Sequence, residues 1–223
     1  MKKFAFVLVI IMLFLSVYFV WNLSFGNSQK YNLCSQIEQY IFYAKAEKYE
    51  ATIKVGERES CFDYDGVSNK KINYALLEIT PYNFNENVKS LQLIIYIGNN
   101  RRNVTLVKNP FKSSFLLDLE TKIDKTEKVL VWVEKVDSEK FLQLENISLN
   151  FSTSHKKAID LGFSAYKKFI KQNTKAGSCE VFLTIQQNKD FETYFWKFFV
   201  VTSKRQTKTL LIDTKTPEIL IMT

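Results

Sequence analysis

Two periods of apolar residues organise this chain, and they alternate along it. The first apolar feature has no period at all: Phe4 to Trp21 is an unbroken hydrophobic run behind Lys2 and Lys3. As a helix it extends roughly 27 Å, close to the thickness of a bilayer's hydrocarbon core. Lysines before the run and few after it place the N-terminus in the cytoplasm and the rest outside. Two fates follow. The run is retained as a single-pass transmembrane anchor, with Tyr18 and Trp21 at the outer interface, or it is a signal removed near Gly26, after Ser24-Phe25-Gly26.

Residues 35–47 carry Ile37, Tyr40, Ile41 and Ala44 at helical spacing, with Ser35 and Glu38 matching a capping box. A short helix is expected there. From Tyr49 the period becomes two. Tyr49, Ala51, Ile53 and Val55 alternate with Glu50, Thr52 and Lys54, which is a half-buried strand. Further strands are expected at 60–65, 72–80, 89–97, 103–107, 113–118, 128–136 and 141–151, separated by turn-like pairs such as Asp65-Gly66, Asn109-Pro110 and Asp137-Ser138. In 141–151 the apolar parity slips between Leu144 and Ile147, so one bulged residue is expected. Many short strands without intervening helices predict an antiparallel β-sandwich. The segment resembles bacterial immunoglobulin-like modules in this pattern, without the paired cysteines around a core tryptophan that mark antibody-type domains.

Residues 154–173 return to the helical period. Ala158, Leu161, Ala165 and Phe169 form a stripe behind a Ser154 N-cap. Strands are expected at 178–186, 193–202 and 207–213, and a short one at 218–222. Trp196-Lys197-Phe198-Phe199-Val200 followed by Asp213-Thr214-Lys215-Thr216-Pro217-Glu218-Ile219-Leu220 resembles the ending of a PepSY-like, cystatin-like α+β domain over 155–221, with Pro217 where that family has glycine. The resemblance implies an extracytoplasmic, non-catalytic module of the kind found in protease propeptides and inhibitors. The expected organisation is therefore a membrane anchor or signal over 1–30, a β-sandwich over 31–152 and a PepSY-like domain over 153–223.

Composition sharpens this picture in three places. A hydrophobic share of 46% is ample for a packed core. Lys and Arg number 31 against 23 Asp and Glu, giving a net charge of +8, but the basic pairs are interspersed with acids. They suit either a solubilising surface or attraction to an anionic envelope polymer or lipid headgroups. No nucleic-acid motif is present, and an exported chain does not meet nucleic acid. Cysteines occur at Cys34, Cys61 and Cys179. An oxidising compartment permits one bridge, with Cys34–Cys61 closing the shortest loop. The alternative is free, partly buried thiols.

Candidate chemistry is sparse. His155 is the only histidine, and its neighbour Ser154 cannot face it from the same helix start. Asp63/Asp65 and Asp118/Glu120 fall at strand spacing but read as solvated acids. No metal, cofactor or catalytic residue is expected. The function expected is an exported, membrane-anchored, non-catalytic protein that binds another envelope or extracellular protein, with Phe195, Lys197 and Phe199 as the binding surface. A structural part of an envelope or secretion machine, and an exported hydrolase with an unrecognised site, are the alternatives.

Overall fold

The computed structural model describes residues 30–60, 70–83, 85–134, 140–175, 179–188 and 193–223. Eight strands come first: β1 (Cys34–Lys45), β2 (Tyr49–Glu59), β3 (Lys71–Pro81), β4 (Ser90–Ile97), β5 (Asn100–Lys108), β6 (Phe115–Leu119), β7 (Val129–Val133) and β8 (Leu142–Asn146). They hydrogen-bond in the order β1-β2-β3-β6-β5-β4-β7-β8, every neighbour antiparallel. The ring closes because β8 returns to β1, pairing Asn146 with Phe42 and Glu145 with Tyr43. The expected sandwich is therefore corrected to a closed eight-stranded barrel. Alternation along each strand is the same in both architectures. Closure depends on one short pairing that no periodicity reveals. The inward residues are those of the period-two pattern, among them Tyr49, Ala51, Ile53 and Val55 of β2, Leu77 and Ile79 of β3, and Val129, Val131 and Val133 of β7. They fill the interior as a packed core.

β1 was expected as a helix, and the reason it is not lies in its double duty. Its register against β2 slips between Glu38 and Tyr40, a β-bulge. Before and around the bulge, Cys34, Ile37 and Ile41 face a second, C-terminal core, whereas Phe42 faces the barrel. Apolar residues three and four apart thus arise from a bulged strand serving two cores. Gly56 of β2 lies beneath this bulge. A Cβ there would sit 2.0 Å from the Ile37 carbonyl oxygen, so only glycine allows the strands to approach so closely.

The parity slip after Leu144 marks the exit from the barrel. Leu144 packs inside it, the strand ends at Asn146, and a 3-10 turn over Ile147–Asn150 carries Ile147 and Phe151 onto the second core. The Asn146 side chain caps this turn by accepting from Ser148 N, and Ile41 N donates to Ser148 Oγ at 2.8 Å. A bulge in one continuous strand is thereby replaced by a change of core.

The C-terminal part begins with α1 (His155–Ala165) and α2 (Lys167–Lys175), separated at Tyr166, where ψ opens to 21°. Ser154 caps α1 by accepting from Lys157 N, as expected. An antiparallel meander follows: β9 (Cys179–Asn188), β10 (Thr193–Thr202), β11 (Thr207–Asp213) and β12 (Ile219–Met222). β9 runs parallel to β1, with Cys34 beside Val181 and Ile37 beside Leu183. Ala158, Ile159 and Phe163 of α1 pack on Leu183, Ile185, Trp196 and Phe198, and Trp196 Nε1 donates to Thr153 O at 2.8 Å. Each such fully buried large side chain contributes about 1.5–3 kcal/mol of transfer free energy.

The PepSY-like resemblance is corrected by this topology. Among the described residues the chain is mostly β with three short helices, and the sheet of β9–β12 continues through β1 into the barrel as one twelve-stranded sheet. The turn before β12 is closed by Asp213, whose carboxylate accepts from Lys215 N and Thr216 Oγ1. Such a side-chain-closed turn needs no left-handed glycine, which accommodates Pro217.

The single-pass membrane protein expected from the sequence is corrected as well. Among the described residues no helix is long and apolar enough to cross a membrane. The run 4–21, on which the transmembrane helix, the signal anchor and the cell-membrane location rested, lies outside the described residues, as does the alternative cleavage site near Gly26. The 60–65 strand falls outside them after Ser60.

Candidate functional site

β1 pairs with β9 only as far as Ile37 and Leu183, and then turns toward β8. At the parting point the backbone groups of Ile185 lose the strand they would have paired with. Two side chains replace it. Ile185 N donates to the Glu38 carboxylate, and Lys54 Nζ donates to Ile185 O. Lys54 Nζ and Glu38 Oε2 lie 3.3 Å apart. Glu38 is buried, and desolvation pushes its carboxyl above the usual range, against the attraction of Lys54 and the Ile185 hydrogen bond. A buried acid held by one ammonium and one amide rivets β1, β2 and β9 together at the base of a wedge.

The wedge opens into a cleft of about 520 Å³ between the outer wall of the barrel and the sheet of β9 and β10. Because the inward parity of β2 and β3 is apolar, the outward parity is polar, and it supplies Glu50, Thr52, Lys54, Glu78 and Thr80 to one wall. The opposite parity from the helix-facing residues of β9 and β10 supplies Thr184, Gln186 and Lys197 to the other, with Gln187 beside them. The β5–β6 loop closes one end with Lys112, Ser113 and Ser114. Ser114 Oγ donates to Glu78 Oε1 at 2.6 Å, and Lys112 Nζ stands 3.8 Å from the same oxygen. Tyr43 hydrogen-bonds Glu50, and its hydroxyl is pushed up to about 12 by burial and then by that carboxylate.

Of the residues expected to form a binding surface, Lys197 lines the cleft. Phe199 lies next to it, with Lys197 Nζ 5.3 Å from its ring centre, and stacks on Phe182 at 4.7 Å between centroids. Phe195 shares this half-buried face of β10, paired with Gln186 and Asp213, but does not line the cleft. Sequence reasoning passed over the barrel wall entirely. The signal was present as the polar parity of β2, but nothing local tells which barrel face a distant sheet will overhang. It also passed over Phe111, an aromatic in a turn-like stretch, which is 92% exposed at the end of the cleft's closing loop.

The remaining candidates lie elsewhere. Cys34 is fully buried, and its thiol donates to Lys30 O at 3.4 Å. Burial pushes that thiol up to about 12. Cys61 lies outside the described residues, as do Asp63 and Asp65, and Cys179 is buried at the start of β9. His155 stands edge-on to the rings of Tyr31 and Tyr40, 6.4 and 6.5 Å away, and desolvation pushes it down to about 4, with Lys156 adding to the effect. Asp118 pairs with Arg58 at 2.6 Å. Among the described residues no three His, Cys, Asp or Glu side chains converge as metal ligands.

Comparison with protein-family models, with curated proteins and with solved structures finds no match to this chain. The cleft is the candidate site. Its hydroxyls and amides can donate and accept, Lys54 pairs with Glu38, Lys112 stands 3.8 Å from Glu78, and both walls are built from strands. Such a surface can hydrogen-bond a polar ligand, and its hydroxyl–carboxylate contact from Ser114 to Glu78 fastens the closing loop to β3.

Proposed function

We propose that this chain is a non-catalytic binding protein whose cleft takes an extended segment of a partner polypeptide. The observation that carries this reading is the two-walled cleft of about 520 Å³, lined by Thr52, Thr80, Thr184, Gln186 and Gln187 around the Glu38–Lys54 rivet. A peptide backbone offers one donor and one acceptor per residue, and alternating hydroxyl and amide side chains on facing strands match that need. Pre-formed walls spare the protein its own ordering cost on binding, so only the incoming segment's conformational freedom is lost.

A photo-crosslinking residue placed at Thr184 tests this directly. Irradiation of the full chain in its native extract is expected to join it to a polypeptide, and the bulky substitution Thr52→Arg on the facing wall is expected to abolish the adduct. The same crosslinker at Lys157, on the helical side, gives the background. Equal adducts at Thr184 and Lys157, or an adduct indifferent to Thr52→Arg, would remove the cleft as the binding site.

A further inference from the structure

Phe111 is the most exposed large apolar side chain among the described residues, at 92%, yet the loop that carries it is firmly built. Asn109, itself buried, accepts from Phe111 N through Oδ1 at 2.9 Å, and its own N donates to Ser114 O at 2.8 Å. Asn109 Nδ2 reaches Ser114 Oγ at 3.4 Å, and Ser114 Oγ in turn donates to Glu78 on β3. Ser114 N donates to Lys112 O at 2.8 Å, which tightens the tip. An aromatic ring in water on a mobile loop can fold back onto the surface. A ring held out by an Asx-type turn and tied to the barrel wall does not, and its hydration is a standing cost to the isolated protein.

The same loop supplies Lys112, Ser113 and Ser114 to the end of the cleft, and Phe111, next to Lys112 in the chain, stands outside the lining. We infer that Phe111 is an apolar anchor for the polypeptide segment that occupies the cleft. The occupant is thereby specified further: an extended segment with polar backbone contacts to Thr52, Thr184 and Gln186, carrying one large aliphatic or aromatic side chain that packs on Phe111 where the segment leaves the cleft. This rests on the cleft being the binding site. Rigid, exposed aromatics next to polar grooves are where truncation most reduces affinity, because the ring buries its area without losing conformational freedom on binding.

The test is selection of a phage-displayed library of random linear peptides on the full chain, followed by fluorescence titration of the enriched peptides. The expected result is a consensus with one large apolar position, at least about tenfold weaker binding to Phe111→Ala, and near-wild-type binding to Phe111→Trp. Circular dichroism of each variant guards against misfolding, which is not expected at so exposed a side chain. A consensus lacking an apolar position, or undiminished binding to Phe111→Ala while Thr184→Arg abolishes it, overturns the anchor and leaves the cleft standing. Enriched peptides indifferent to Thr184→Arg, or no enrichment at all, overturn both.

Discussion

Glu38 and Lys54 stand 3.3 Å apart where β1 leaves β9 for β8, and between them they occupy both backbone groups of Ile185. Strand exchange of this kind strands a donor and an acceptor in the interior, and each left unmet costs about 1–3 kcal/mol. The pair therefore does the work of a strand that has moved away. Lys54→Met leaves the Glu38 carboxylate buried without its counter-charge, and a loss of about 3–5 kcal/mol is expected in urea unfolding. The double variant Glu38→Gln with Lys54→Met is expected to recover part of it, since the amide oxygen still accepts from Ile185 N without carrying charge. A double variant no more stable than Lys54→Met would show that the ion pair is not what holds the seam.

His155 makes stability depend on pH in a predictable direction. Its folded-state value is pushed down to about 4 from 6.5 by desolvation first and Lys156 second. A depressed value means that the unfolded chain binds the proton more tightly. Stability is thus fully present above about 6.5 and is lost as pH falls toward 4, by up to about 3 kcal/mol. Glu38 acts with opposite sign, because its raised value gives stability that declines as pH rises above 4.5. The two are separable: His155→Gln is expected to flatten the loss between 6.5 and 4, and Glu38→Gln to steepen it. Chemical denaturation at several pH values in the three proteins checks this, and an unchanged slope in His155→Gln would refute it.

Strands of one parity were legible because each serves one core. β2 and β3 alternate cleanly, and their boundaries follow from the polar residues that face water. β1 was illegible for the opposite reason. Cys34, Ile37 and Ile41 belong to one core and Phe42 to another, with a bulge between, and the sum mimics a helix. Barrel closure was hidden because it depends on Asn146 meeting Phe42, a contact between residues more than a hundred positions apart. Of the cleft's lining, Lys197 alone stood among the surface residues expected from the sequence. Thr52 and Thr80 on the barrel wall and Thr184 and Gln186 on β9 have the polar parity of any solvated strand face, and only the overhang of the C-terminal sheet turns them into two walls of one cleft.

Gly162 on α1 is a packing requirement. A Cβ at that position would meet the Phe198 ring carbons at 2.3–2.5 Å, and Phe198 is fully buried. Substitution to alanine in a helix interior ordinarily stabilises by about 0.5–1 kcal/mol. Here the sign is expected to reverse, with a net loss of about 1–3 kcal/mol from overpacking. Phe198→Leu removes ring atoms at the contact and is itself destabilising, but combined with Gly162→Ala the two losses are expected to sum to clearly less than additive. An additive double-mutant cycle would place the strain elsewhere.

Ser114 is the residue through which the Phe111 loop is fastened to the barrel. Its hydroxyl donates to Glu78 and receives the Asn109 amide, so Ser114→Ala removes two hydrogen bonds and leaves Glu78 with Lys112 alone at 3.8 Å. A hydrogen bond to a charged group contributes about 1.5–3 kcal/mol when buried, and this one is only partly buried, so a global loss of about 1–2 kcal/mol is expected. The local effect should be larger than the global one. Amide exchange at Phe111 and Ser114, whose N–H groups are held by Asn109 Oδ1 and Lys112 O, is expected to accelerate well beyond what the global loss explains, while the amides of β3 facing β2 change only by the global amount. If the loop amides exchange no faster than that, the ring of Phe111 is held out by the turn geometry of Asn109 alone, and Asn109→Ala becomes the substitution that releases it.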